Sequence, residues 1–153
     1  HFVRRRQRQM CIRDSYSPSW KPDMNLINCR SETIAEKPSF KGSKRCIIPF
    51  SGWYEWQKQK DAKVPYYHYS NAKYFAGIFN ESGCCILTRV SANTLSHIHH
   101  RQPVLLQENE IGEYFMGQDI YDSSANYDVQ FYEVSKQVNS PKNNFPSLTE
   151  EIC

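Results

Sequence analysis

Apolar and aromatic positions fall into short runs separated by polar, Gly- and Asn-containing breaks, which is the signature of strands joined by tight turns rather than of long helices. Arg45-Cys-Ile-Ile-Pro-Phe50 and Gly52-Trp-Tyr-Glu-Trp-Gln57 read as strands. The polar, Lys-rich stretch from Gln57 to Val64 reads as a hairpin loop, with Pro65-Tyr-Tyr-His-Tyr69 as its return strand. Tyr74-Phe-Ala-Gly-Ile-Phe79 and Cys85-Ile-Leu-Thr-Arg-Val90 form a second pair, turning at Asn80-Glu-Ser-Gly83. Pro103-Val-Leu-Leu106 and Asp128 to Val134 read as later strands, and Ser91 to His99 is irregular. Two segments suggest helix. Asn28 to Lys37 opens on polar capping residues and stops before Pro38, and Glu108 to Met116 places Ile111, Tyr114 and Phe115 on one face. The tail from Asn139 to Pro146 is Asn- and Pro-rich loop. The order describes a meander of antiparallel strands with a few short helices, an α+β domain without βαβ units.

Charge changes this picture only at the start. The chain carries a net +3, but residues 1–15 hold five Arg against Asp14 alone, so the remaining 138 residues are at −1. Basicity is therefore no argument for nucleic acid. Met10-Cys-Ile-Arg-Asp-Ser15 resembles the translated end of a transposase sequencing adapter, so residues 1–15 are read as a leader foreign to the domain, and residues 16–153 as the domain. No apolar run approaches the roughly 20 residues of a membrane helix. The six cysteines, Cys11, Cys29, Cys46, Cys84, Cys85 and Cys153, contain no Cys-x-x-Cys pair and fit neither a zinc site nor a disulfide framework; the expectation is reduced thiols in a cytoplasmic protein.

Three places offer chemistry. Glu55 lies between Tyr54 and Trp56 in a strand-like run. If its face is covered, desolvation raises its pKa and suits it to acid/base work; if alternation points it outward, it is a solvated carboxylate. His97-Ile-His-His-Arg-Gln-Pro103 packs three His and one Arg together without a carboxylate or Cys at ligand spacing, which argues against a metal. Leu26-Ile-Asn-Cys-Arg30 puts Asn28 and Arg30 after two apolar residues; Asn28 could be a helix cap alone, and Cys29 is a nucleophile candidate with nothing nearby to lower its pKa.

Taken together, four ordered blocks resemble the SOS response-associated peptidase (SRAP) family of abasic-site sensors. They are Pro18-Ser-Trp20 with Asn28-Cys-Arg-Ser-Glu-Thr33 and Glu36-Lys-Pro-Ser-Phe40; Arg45-Cys46 leading into Gly52-Trp-Tyr-Glu-Trp56; Ile98-His-His-Arg-Gln-Pro103; and Val134-Ser-Lys-Gln-Val-Asn139 with Asn143. The resemblance implies a curved, barrel-like, mostly antiparallel sheet and a groove for single-stranded DNA, in the SOS response to DNA damage. It implies that a cysteine exposed by removal of the initiator Met attacks the aldehyde of an abasic sugar and closes a thiazolidine with its own amine, a stable DNA–protein crosslink. It assigns Asn28 to positioning that cysteine, Glu55 to proton shuttling and His99 to the sugar hydroxyl and ring opening. Arg30 and Arg101 would meet phosphates and Trp20 would stack in the groove, with Trp53 a second aromatic candidate there or a core residue. No cofactor or metal is implied, and a monomer, nucleoid-associated when bound to DNA, is expected. The Met-Cys-Gly-Arg start of the family and its first strands have no counterpart here, and Cys11, followed by Ile and 17 residues before Asn28, does not replace it. The chain is therefore expected to lack the crosslinking nucleophile. The alternatives are a cysteine-type autopeptidase and a non-catalytic single-strand binder.

Overall fold

The computed structural model describes residues 15–152. Among the described residues nine strands form two sheets: β1 (Asn28–Arg30), β2 (Lys44–Pro49), β3 (Trp53–Lys58), β4 (Lys63–Ser70), β5 (Tyr74–Asn80), β6 (Gly83–Val90), β7 (Arg101–Pro103), β8 (Leu105–Leu106) and β9 (Val129–Glu133). The larger sheet runs β1-β6-β5-β2, with β7 on β6 and β8 on β5; the smaller runs β3-β4-β9. All pairings are antiparallel except β1 with β6. The two sheets pack face to face without closing into a barrel, which corrects the barrel-like expectation in that respect.

The β5–β6 hairpin is forked. Its arms pair from Gly77 with Ile86 to Asn80 with Gly83, then separate. The segment 101–106 fills the fork: β7 takes the free edge of β6 and β8 that of β5. Val104 bridges both arms, its N–H donating to the Leu87 carbonyl at 2.8 Å and its carbonyl accepting from Ala76 N–H at 2.9 Å. Pro103 has no N–H to donate, so the break between β7 and β8 falls where the chain changes partners.

Alternation sorts the small sheet into two faces. Cross-strand partners Tyr54, Tyr67 and Tyr132 share the outer face. There, with Trp56, they pack on Val134, Val138 and Leu148 of the carboxyl-terminal segment. Trp53, His68 and Phe131 share the inner face. Trp53 and Phe131 pack against a cluster that includes Phe50, Phe75, Leu95, Leu105 and Val129, between the sheets. Phe50 and Phe75 stack with ring centroids 4.0 Å apart. Gly52 is fixed by a close approach: a Cβ there would collide with the Tyr67 ring and lie 2.6 Å from the His68 carbonyl.

Two expectations change. The helix expected from Asn28 to Lys37 is strand β1 followed by turns and a 3-10 turn at Pro38–Phe40. Pairing with β6 buries Cys29 and satisfies the backbone, which outweighs the local capping signal. The helix expected from Glu108 to Met116 is a 3-10 turn, Glu108–Glu110, running into the short helix α1 (Ile111–Phe115), which Gly117 ends at φ +94°. Only Tyr114 of its apolar face is buried. Ser15, the last residue of the expected leader, is buried and bridges Cys84; residues 1–14, with Cys11, lie outside the described residues. No helix among the described residues is long and apolar enough to cross a membrane.

Candidate functional site

A cavity of about 740 Å³ lies along β3, lined by Glu55 from the inner face and by Trp56 and Lys58 from the outer one. Glu55, Trp56, Lys58 and Lys63 supply the β3–β4 wall, and Ser96 to His100 supply the opposite one. Strand alternation puts Trp53, Glu55 and Gln57 on the same face. Trp53, partly buried, packs against the core, Glu55 sits at the cavity edge, and Gln57 donates to the His97 carbonyl at 3.0 Å, tying the His-bearing turn to the strand. A second tether lies behind that turn. Gln102, buried, accepts from Ala92 N–H at 2.8 Å and donates to the Asn126 carbonyl at 2.9 Å.

This geometry decides between the two readings of Glu55. Its carboxylate is not on a solvated face; the side chain is 22% exposed and Oε2 lies 3.7 Å from His99 Nδ1. Burial pushes its pKa up to about 7, with the nearby imidazole acting in the opposite direction. His99 Nδ1 is 3.0 Å from the Arg101 carbonyl and 3.2 Å from the Arg101 amide nitrogen. It either donates to the first or accepts from the second, and Nε2 takes the complementary role. A carboxyl that is half protonated near neutral pH beside an oriented imidazole can move protons in both directions.

The other expected residues are distributed around this pair. Asn28 and Arg30 share the exposed face of β1, outside the cavity lining, while Cys29 between them is buried, its thiol directed at the Ile86 carbonyl at 3.5 Å. Trp20 lies in a turn, 62% exposed. Arg101 is mostly buried and forks onto Glu32, with Nη1–Oε1 and Nη2–Oε2 both 2.8 Å. That contact holds the Glu32 carboxyl at about 2. Trp53 is partly buried against the core and its ring stacks on His68, centroids 5.3 Å apart. Among the described residues no group of three or more His, Cys, Asp or Glu could hold a metal ion.

Sequence reasoning gave no site role to three lining residues. Lys58 and Lys63 lie directly opposite each other in the β3–β4 register and both line the cavity. The polar stretch had been assigned entirely to loop; counting back from its four-residue tip would have paired them. Asn139 lines the cavity and its Oδ1 accepts from Trp56 Nε1 at 2.6 Å, which gives the fourth sequence block a structural reason.

Comparison with known proteins gives a consistent result. The family described as SOS response associated peptidase (SRAP) matches residues 3–141. The abasic site processing protein YoqW of Bacillus subtilis is 34% identical over 164 residues, covering 87% of this chain and 72% of that protein. The abasic site processing protein HMCES of Gallus gallus is 29% identical, covering 94% of this chain and 57% of its own length. A crystal structure of a protein from Bacteroides thetaiotaomicron superposes with a TM-score of 0.66 at 26% identity, covering 82% of this chain and 66% of that one.

Proposed function

The chain belongs to the SOS response associated peptidase family, and we propose that it processes abasic sites in single-stranded DNA, with the cavity at Glu55 and His99 receiving the base-free sugar. The observation that supports this reading best is the Glu55–His99 pair, 3.7 Å apart at the edge of an open cavity, with the carboxyl pushed up to about 7. Ring opening of an abasic sugar needs one proton delivered to the ring oxygen and one removed from the anomeric hydroxyl. Attack on the resulting aldehyde by an amine needs further transfers as water leaves. A carboxyl and an imidazole at neutral pH serve these steps. The cavity is wide enough for a sugar with its flanking phosphates, and an abasic nucleotide enters without the cost of unstacking a base. Arg30, exposed and in no ion pair among the described residues, is placed to meet a phosphate, and Trp20 to stack on a neighbouring base. Asn28, on the same face of β1 as Arg30, orients the nucleophile.

The covalent form of the reaction is a thiazolidine. Its closure needs a thiol and a free amine on adjacent carbons, which only an N-terminal cysteine offers. Of the described cysteines, Cys29, Cys46, Cys84 and Cys85, none lines the cavity. Cys11 as written carries an acylated nitrogen. A denaturing gel with abasic single-stranded DNA therefore compares this chain with one beginning Cys-Gly-Arg ahead of the same body. A heat-stable band from the second and none from the first is expected. A heat-stable band from the first removes the aminothiol account, and retarded but never covalent DNA from both supports a non-catalytic binder.

A further inference from the structure

We propose that Asn139 is a positioning residue that holds the Trp56 indole as a fixed wall of the cavity, which makes the carboxyl-terminal segment part of the binding site and not only a cover for the small sheet. Trp56 follows Glu55 but points to the opposite face of β3. Because β3 is an edge strand, a residue of its outer face can reach the cavity around that edge, and Trp56 lines it together with Asn139. Apolar contact sets where the ring sits: with Tyr54, Tyr67 and Tyr132 it packs on Val134, Val138 and Leu148, and its centroid lies 6.3 Å from that of Tyr54. Such packing is non-directional, and an indole turned over within it keeps much of its buried area. The bond from Trp56 Nε1 to Asn139 Oδ1, at 2.6 Å, is directional and fixes which edge of the ring faces the cavity.

The local chain is built to place that acceptor. Val134 N–H donates to the Pro65 carbonyl at 3.1 Å, and Pro65 is the register partner of Trp56, so the chain leaving β9 is laid beside the indole. Ser135 caps the 3-10 turn Lys136–Asn139, its Oγ accepting from Gln137 N–H at 3.3 Å. Asn143 Nδ2 closes the turn by donating to the Gln137 carbonyl at 2.7 Å. Val138 is buried and seats the turn, while Asn139 beside it is exposed at the cavity. One turn therefore supplies both an apolar seat for the ring and the acceptor for its N–H. A wall set before a ligand arrives spares the cost of ordering it on binding, about two- to tenfold in affinity for one side chain.

The role rests on the abasic-site reading only for the ligand, so the test has one arm without DNA. The three Trp occupy three settings: Trp20 is exposed, Trp53 has a buried Nε1 with no partner among the described residues, and Trp56 is bonded to Asn139. Proton–nitrogen spectra of the full chain give one indole signal for each, and Trp56→Phe identifies that of Trp56. In wild type it should lie downfield of the Trp20 signal and exchange slowly with water. In Asn139→Ala, a change at an exposed side chain, it should move upfield and exchange faster, and Asn139→Asp, which keeps the acceptor, should restore it. An unmoved Trp56 signal in Asn139→Ala overturns the proposal. The second arm measures binding of an abasic single-stranded oligonucleotide. Asn139→Ala should weaken it about two- to tenfold. The salt slope should not change, since no cation is lost. In a Trp56→Phe background the same change should add nothing, because no indole N–H remains to be held. Equal weakening in both backgrounds makes Asn139 a direct ligand contact and overturns the proposal, as does unchanged affinity in the wild-type background, which leaves the bond purely structural. If wild type binds no abasic DNA, the functional reading fails and the spectra still decide whether Asn139 holds the wall.

Discussion

The inner face of β3 has two ends with the same chemistry and opposite exposure. At one end Trp53 and Phe131 sandwich His68, with ring centroids 5.3 and 5.6 Å away, and the imidazole is pushed down to about 4 by burial. At the other end, two residues along, burial pushes Glu55 up to about 7. Desolvation favours the neutral form of both groups, so it moves a base down and an acid up. The difference lies in access. His68 is sealed under aromatic rings, its Nδ1 directed at the Tyr66 carbonyl at 3.3 Å, and exchanges no proton with a ligand. Glu55 meets a cavity and a second titratable side chain. A perturbed pKa marks a functional group here only where the perturbed atom also faces open space.

The largest expected effect comes from removing the titratable group at the open end. Glu55→Gln keeps the volume and abolishes the proton carrier, so the rate of covalent capture by a chain bearing an N-terminal cysteine should fall about 10²- to 10⁴-fold without loss of stability. Single-turnover gels against urea unfolding curves separate the two, and a loss under tenfold would take Glu55 out of the chemistry. The sealed end should respond in the reverse sense. Phe75→Ala removes the partner stacked on Phe50 and one wall of the Trp53 pocket. It should cost about 3–5 kcal/mol of stability. Material that remains folded should still bind abasic DNA.

The pH dependence sharpens the contrast, because the two ends pull in opposite directions. The folded pKa of His68 lies below its unfolded value of 6.5, so its stabilising contribution is present above 6.5 and is lost as pH falls towards 4. Glu55 has a folded pKa above its unfolded 4.5, so its contribution is present below 4.5 and is lost as pH rises towards 7. Each is worth up to about 3 kcal/mol. Urea midpoints followed from pH 4 to 8 should therefore rise with pH in Glu55→Gln, where His68 titrates alone, and fall with pH in His68→Gln, where Glu55 titrates alone. A flat profile in wild type would be expected from near-cancellation. Flat profiles in both single variants would mean that neither group is shifted.

Most strands were legible because their signal is local: alternating aromatics in 53–58 and 65–69, and a Gly-bearing turn at 80–83, specify pairing by themselves. The face of Glu55 was not, since alternation says which residues share a side but not which side is covered. That depends on Phe50 and Phe75 arriving from the other sheet. The strand at Asn28 was misread as helix because its partner lies more than fifty residues away, on β6. The family blocks carried Glu55 and His99 to one place without explaining it; the explanation is the forked hairpin, which brings the turn before β7 over the end of β3. Arg101 was expected at a phosphate, and nothing in its own block indicates that Glu32, in a different block, takes the guanidinium.

The smallest effect concerns the cavity wall that sequence assigned to loop. Lys58 and Lys63 face each other across β3 and β4, and neither takes part in an ion pair among the described residues. Directly opposed like charges cost stability, by a fraction of about 1 kcal/mol, unless an anion sits between them. They give one wall of the cavity positive charge, suited to a phosphate beside the proposed sugar site. Each Lys→Gln change should therefore weaken single-strand binding modestly and lower the salt slope by about 0.7, leaving the rate at saturating DNA intact. The same changes should leave stability unchanged or raise it slightly, since they relieve the repulsion. That pairing of outcomes separates a ligand-facing cation from a structural one: a structural lysine lost from this hairpin would lower the urea midpoint and leave the salt slope where it was.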